Sequence, residues 1–167
     1  MERKILRAQP VSKMCFVCGL ENAWGLKARF FDLGSGEVLA LVTPDERHQG
    51  YPGRLHGGIA SALLDEVIGR AINVGGAQTW HVTVELSVRF RKPVPLGEPV
   101  RALGRVTRDT RRVFEGTGEI LLDDGSVAIE ARGKYMKLPI DRIVEGDLHD
   151  QWFEDPRPIP PTLTFRQ

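Results

Sequence analysis

Gly58-Ile59-Ala60-Ser61-Ala62-Leu63-Leu64-Asp65-Glu66-Val67-Ile68-Gly69-Arg70-Ala71-Ile72-Asn73 is the stretch that decides the fold. Ile59, Ala60, Leu63, Leu64, Val67, Ile68, Ala71 and Ile72 recur at three- and four-residue spacing, so a helix over 58–73 carries them on one broad apolar face. Gly75-Gly76 follows as a C-terminal stop. On both sides the period changes to two. Before the helix, Lys27 to Leu33 and Glu37 to Thr43 flank Gly34-Ser35-Gly36, a hairpin connection. After it, His81 to Arg91 sets Val82, Val84, Leu86, Val88 and Phe90 against Thr83, Glu85, Ser87, Arg89 and Arg91. Pro99 to Arg108, Arg112 to Leu122 and Ser126 to Leu138 complete the strands, with Asp124-Gly125 as the tight turn between the last two.

Two strands, one helix and four strands predict an α+β fold. A lone apolar helix and one sheet of roughly six antiparallel strands bury each other best when the sheet wraps around the long central helix, the hotdog arrangement. A single domain over 26–138 accounts for this pattern. Residues 1–25 read as an irregular lead-in, and 139–167 as a charged, proline-rich tail. At 167 residues the chain suits one core.

A formal charge of +1 excludes the basic excess of a nucleic-acid binder. No stretch reaches the roughly 20 apolar residues that a bilayer crossing needs, and Met1-Glu2-Arg3-Lys4 does not open a secretory signal. The expected setting is cytoplasmic, without membrane or nucleic-acid partners. Two cysteines, Cys15 and Cys18, are too few for a disulfide framework. Nothing in the sequence asks for a cofactor.

The chemistry concentrates where the loop over 44–55 enters the helix, at His56-Gly57-Gly58. Glycines there let a ligand approach the backbone, and the first helical N–H groups have no partner within the helix. A Gly57 N–H aimed at a carbonyl under attack would stabilise the oxyanion, with help from the helix dipole; a plain loop-to-helix cap explains the same residues. Asp65 lies at the edge of the apolar face, beside Ser61 and Ile72. Partial burial there raises its basicity, which suits a general base or nucleophile, although an interface carboxylate would also stand there. Glu66 points to the polar face, four residues before Arg70, as a surface ion pair.

His56-Gly57-Gly58 with an aspartate nine residues after the histidine resembles the phenylacetic-acid-degradation (PaaI-like) family of hotdog acyl-CoA thioesterases. Thr83 to Phe90, running into Lys92-Pro93-Val94 and Leu96-Gly97-Glu98, is similar to that family's third strand and turn. The similarity spans about Leu26 to Leu138. It implies hydrolysis of an acyl-CoA or aryl-CoA thioester to acid and CoA. In that reaction Gly57 polarises the carbonyl, Asp65 is base or nucleophile, and His56 with Gly58 shapes the site mouth. It further implies a Thr83 hydroxyl that helps hold the attacking water, and a homodimer, or a dimer of dimers, in which Asp65 acts across the interface. Where relatives place Asn or Gln six residues before the histidine, this chain has Gly50; Gln49 and His48 stand nearby as substitutes. Cations for the CoA phosphates are expected from Arg54, Arg89, Arg91 and Lys92.

Cys15-Phe16-Val17-Cys18-Gly19, with Asn22 and Gly25-Leu26, resembles a subset of the same family. One Cys-x-x-Cys is half of a four-cysteine zinc site, so a structural role is expected ahead of metal binding. Two other functions fit a hotdog fold. A hydratase or dehydratase would pair His48 with a glutamate fourteen residues on, where this chain has Ala62. A non-catalytic acyl-CoA sensor would carry a DNA-binding helical module, for which the first 25 residues are too short.

Overall fold

The computed structural model describes residues 2–160 and 163–164. Seven strands form one antiparallel sheet: β1 (Ile5–Ala8), β2 (Arg29–Leu33), β3 (Val38–Val42), β4 (His81–Phe90), β5 (Val100–Asp109), β6 (Val113–Leu121) and β7 (Val127–Lys137). Their order across the sheet is β1-β2-β3-β5-β6-β7-β4. The helix α1 (Gly57–Arg70), prolonged by a 3-10 turn at Ala71–Asn73, lies against the concave face. This is the hotdog arrangement expected from the sequence. Among the described residues, no helix is long and apolar enough to cross a membrane.

The helix packs as its periodicity predicts. Ala60, Leu63, Leu64, Val67 and Ile68 are fully buried against Phe30, Val38, Ala40, Ala102, Phe114 and Ile120. Each large aliphatic side chain in such a place contributes about 1.5–3 kcal/mol. The backbone sits unusually close to the sheet because glycines floor it. A Cβ at Gly104 would lie 2.3 Å from the Val67 carbonyl oxygen, and Cβ atoms at Gly116 and Gly118 would strike the Ile68 side chain. Two of the hairpin turns, β2–β3 and β6–β7, carry glycines with positive φ, Gly36 at 78° and Gly125 at 81°.

Three expectations change. The lead-in is not irregular throughout. β1 adds a seventh strand, tied down where buried Asp32 on β2 accepts from Arg7 at 3.1 Å, Gln9 at 2.7 Å and the Gly75 N–H at 3.1 Å. Part of the charged, proline-rich tail, residues 152–157, packs on the domain. Trp152–Phe153 pairs with Val11–Ser12, and Asp155 is held by Arg29 at 2.9 Å and Arg157 at 2.8 Å. A short pairing of Glu2–Arg3 with Leu163–Thr164 also joins the two ends.

The third change concerns β4, whose even alternation is broken by a bulge. Thr83 pairs with Tyr135 but Glu85 pairs with Lys134, leaving Val84 as the extra residue. The bulge shifts the side-chain phase. His81 and Thr83 face the helix before it, in register with inward Tyr135, and Leu86 and Val88 face it afterwards. Val84, expected on the apolar face, is 51% exposed.

Candidate active site

The site begins with the helix cap. His56 has extended backbone angles (φ −65°, ψ 133°), and its Nδ1 accepts the Gly58 N–H at 2.9 Å. Capping by the histidine ring leaves the Gly57 N–H without an acceptor among the described residues. The Phe90 ring lies beside it: a Cβ at Gly57 would stand 3.3 Å from a Phe90 ring carbon. The cap therefore falls to Gly58, and Gly57 keeps an N–H with no acceptor among the described residues.

Asp65 lies two helical turns further on, about 12 Å along the axis for eight residues. The Thr83 hydroxyl reaches its two carboxylate oxygens at 2.9 and 3.1 Å, and Tyr135 donates to its backbone carbonyl at 3.0 Å. Burial raises the Asp65 pKa above the ordinary carboxylate value, against the opposing pull of the Thr83 hydroxyl. His81 sits edge-on to both the Phe114 and Tyr135 rings, at 5.0 and 5.3 Å, and its pKa is lowered by burial. A Cβ at Gly69 would fall 2.5 Å from His81 Nε2, so the ring needs a glycine opposite it. The bulge at Val84 is what allows one strand to send Thr83 to Asp65 and Leu86 into the core.

Glu66 differs from its expected role. It does bind Arg70, at 2.9 Å, but not at the surface. The Gln9–Cys18 segment and Trp152 cover that face. Arg70 is 4% exposed, donates to the Pro10 carbonyl at 2.8 Å and Cys18 Sγ at 3.2 Å, and stacks over Phe30 at 4.1 Å.

The remaining candidates separate. His48 is buried in the loop: its Nδ1 accepts the Asp45 N–H at 3.0 Å and its Nε2 meets the Trp24 carbonyl at 3.1 Å, so it has no nitrogen for substrate. Gln49 is exposed. Gly50 lies against His56, where a Cβ would come 3.2 Å from the His56 Cα. Arg89 and Arg91 share Glu130, at 3.6 and 2.7 Å. Arg89 and Glu130 border an open cleft of about 510 Å³ on the outer face of the sheet, away from Asp65. Arg54 and Lys92 are exposed, and Arg54 bridges to Pro95 beside the loop that delivers His56. Cys15, Cys18 and Glu66 place donor atoms within 4.8 Å of one another, a possible metal cluster among the described residues.

Tyr135, His81 and Phe90 are contributors that the motif pattern did not single out. The alternation of β7, with Ile129, Ala131 and Tyr135 inward and Arg132, Lys134 and Met136 outward, held the signal for Tyr135.

Residues 52–129 match the family described as Thioesterase superfamily. The chain is 32% identical over 141 residues to acyl-coenzyme A thioesterase THEM4 of Bos taurus, covering 83% of this chain and 57% of the relative. It thus spans about three-fifths of the length of the curated relatives it matches. Among solved structures, the thioesterase superfamily protein RHA08564 is 34% identical with a TM-score of 0.68, covering 75% of this chain and 64% of that one. The Escherichia coli PaaI protein of the phenylacetic acid degradation operon shares the fold at 18% identity and a TM-score of 0.62, covering 68% and 81%. The helix-wrapping sheet and the His-Gly-Gly and Asp65 geometry thus accompany a likeness to the thioesterase superfamily over residues 52–129.

Proposed function

We propose that the protein hydrolyses an acyl-CoA or aryl-CoA thioester to the free acid and CoA, with Asp65 as general base or nucleophile and the Gly57 N–H as the oxyanion donor. The observation that carries this is the partly buried Asp65 carboxylate, held by an uncharged hydroxyl and raised in pKa, on the helix whose first N–H is left open. Ionised Asp65 takes a proton from water as the water oxygen attacks the carbonyl carbon. Negative charge gathers on the carbonyl oxygen, where Gly57 meets it. Collapse breaks the carbon–sulfur bond and releases the CoA thiolate, which is then protonated. Direct attack by Asp65 would instead form an anhydride that water opens. Thr83 orients the carboxylate in both versions, and exposed Arg54 and Lys92 supply cations for the CoA phosphates.

One protomer is insufficient for this chemistry. Groups acting on the same carbonyl must lie about 3 Å from the reacting atoms, whereas Gly57 and Asp65 of one chain are about 12 Å apart along the helix. The edge strand β4 offers the remedy. Among the described residues its pairing is with β7 alone, and Val84 and Phe90 on it are exposed. A two-fold copy paired antiparallel along β4 sets the Thr83 and Asp65 end of one protomer beside the Phe90 and Gly57 end of the other. Each site then takes its base from one subunit and its amide from the partner.

The test is release of free thiol over short-, medium-, long-chain and aryl CoA esters. Thiol release with at least one class is expected. Binding without release across the whole panel would replace hydrolysis with acyl-CoA sensing, and dehydration of a 3-hydroxyacyl ester would replace it with hydratase chemistry.

A further inference from the structure

Cys15 and Cys18 are both free thiols in one tight turn, with sulfurs within 4.8 Å of each other. The turn is closed by Gly19, whose N–H donates to the Cys15 carbonyl at 2.8 Å. A Cβ there would stand 2.4 Å from that oxygen. The two thiols are not equivalent. Cys15 is half-buried and Cys18 fully buried. Cys15 Sγ accepts the Val17 N–H at 3.4 Å, while the Cys15 N–H is fixed on Ser12 Oγ at 3.2 Å. The Cys18 thiol donates to Cys15 and, as the largest influence, helps bring its pKa down to about 7. The same hydrogen bond and burial push the Cys18 pKa up. On its other side Cys18 Sγ accepts from the Arg70 guanidinium at 3.2 Å.

We propose that Cys15 and Cys18 form a redox-active dithiol that exchanges with low-molecular-weight disulfides, Cys15 as the attacking sulfur and Cys18 as the resolving one. The accessible Cys15 thiolate attacks one sulfur of a disulfide R–S–S–R. A Cys15–S–S–R bond forms, the R–S–S–R bond breaks, and one RS⁻ leaves. Cys18 then gives up its proton, with Arg70 beside the developing thiolate, and attacks Cys15 Sγ. The second RS⁻ leaves and takes a proton. The protein dithiol is oxidised by two electrons to an internal disulfide, and the small disulfide is reduced to two thiols.

The same atoms are poorly disposed for a metal ion. The Glu66 carboxylate, the third donor, is already bound to Arg70 at 2.9 Å, and that guanidinium also sits on Cys18. A fixed positive charge among the donors opposes a divalent cation. The proposal is independent of the hydrolytic site, because it involves neither Asp65 nor Gly57.

These 167 residues contain two cysteines, Cys15 and Cys18, so thiol counting on them is unambiguous. The protein is equilibrated without oxygen in mixtures of reduced glutathione and glutathione disulfide, quenched in acid and weighed by intact mass. The expected result is joint loss of both thiols, with a mass lower by two hydrogens and no glutathione retained. Cys18→Ser is expected to stop with one glutathione on Cys15, and Cys15→Ser with none. In the reduced protein, alkylation at neutral pH should mark Cys15 about tenfold faster than an ordinary cysteine and leave Cys18 unmarked until unfolding. Two free thiols at every glutathione ratio would overturn the proposal, and this readout does not depend on how well the variants fold. A zinc ion that copurifies one per chain and shields both thiols would also overturn it.

Discussion

Asp65 and Glu66 are neighbours on one helix, and their surroundings could hardly differ more. On the Asp65 side, the helix faces the edge strand β4, and the carboxylate is met by an exposed threonine hydroxyl, with no cation paired to it among the described residues. On the Glu66 side, the lead-in and Trp152 close over the helix, and the carboxylate is neutralised by a buried arginine that five further groups hold. A carboxylate locked in an ion pair with a buried arginine has its oxygen engaged and is not open to substrate. A carboxylate desolvated without a partner cation is a better base. The difference teaches that neighbouring acids on one helix are sorted by what covers each face.

The largest expected effect breaks the Asp65 side. Asp65→Asn should lower kcat by about 10²–10⁴, the range for loss of a general base, with CoA-ester binding retained. Its sign on stability is opposite. A folded-state pKa raised above the unfolded value means stability is fully present below the unfolded pKa and lost as pH rises through the folded one. Asp65→Asn should therefore be at least as stable as the parent at pH 7 by thermal unfolding, with the difference vanishing in acid, where Asp65 of the parent is itself uncharged. Loss of stability at neutral pH would contradict the burial argument.

Next comes the sealed side. Arg70→Ala leaves Glu66 and Cys18 without their cation, and denaturant unfolding should show a loss of about 3–5 kcal/mol. The kcat of the protein that remains folded should be little changed. A selective loss of kcat at full stability would move Arg70 into the active site.

Gly57→Pro tests the amide by itself. Proline suits the first helical position, and His56 already has the extended angles that a residue before proline adopts. The substitution removes the N–H and preserves the helix, so kcat should fall by about 10²–10³ with little change in unfolding temperature. The smallest effect is Thr83→Val, expected to cost about tenfold in kcat. Because the Thr83 hydroxyl lowers the Asp65 pKa, its loss should move the acid limb of the pH–rate profile upward. An unmoved limb would leave Thr83 with a packing role.

Much of this comparison was legible in the sequence. Apolar spacing places Leu63, Leu64, Val67 and Ile68 in the core and sets Asp65 at the border of their face, apart from Glu66. The covering of Glu66 was not legible, because it depends on Gln9, Pro10 and Trp152, which are distant in sequence and carry no period. β1 escaped notice because four residues at a sheet edge are fixed by a long-range ion pair between Arg7 and Asp32 rather than by patterning. The bulge at Val84 escaped because Val82, Val84 and Leu86 keep an unbroken apolar alternation, although the chain changes phase between them. Thr83 therefore read as lying on the face opposite Leu86, whereas the bulge turns both inward.

Subunit complementation tests the central claim most directly. Asp65→Asn and Gly57→Pro proteins, each nearly inactive, are mixed in equal amounts, exchanged through reversible dissociation and assayed for thiol release. Half of the reassorted dimers carry one variant of each kind. Each of these holds one site with both groups intact, so about a quarter of the parental activity should return. Mixed dimers that form and stay as inactive as the separate variants would show that Asp65 and Gly57 do not act together across two protomers.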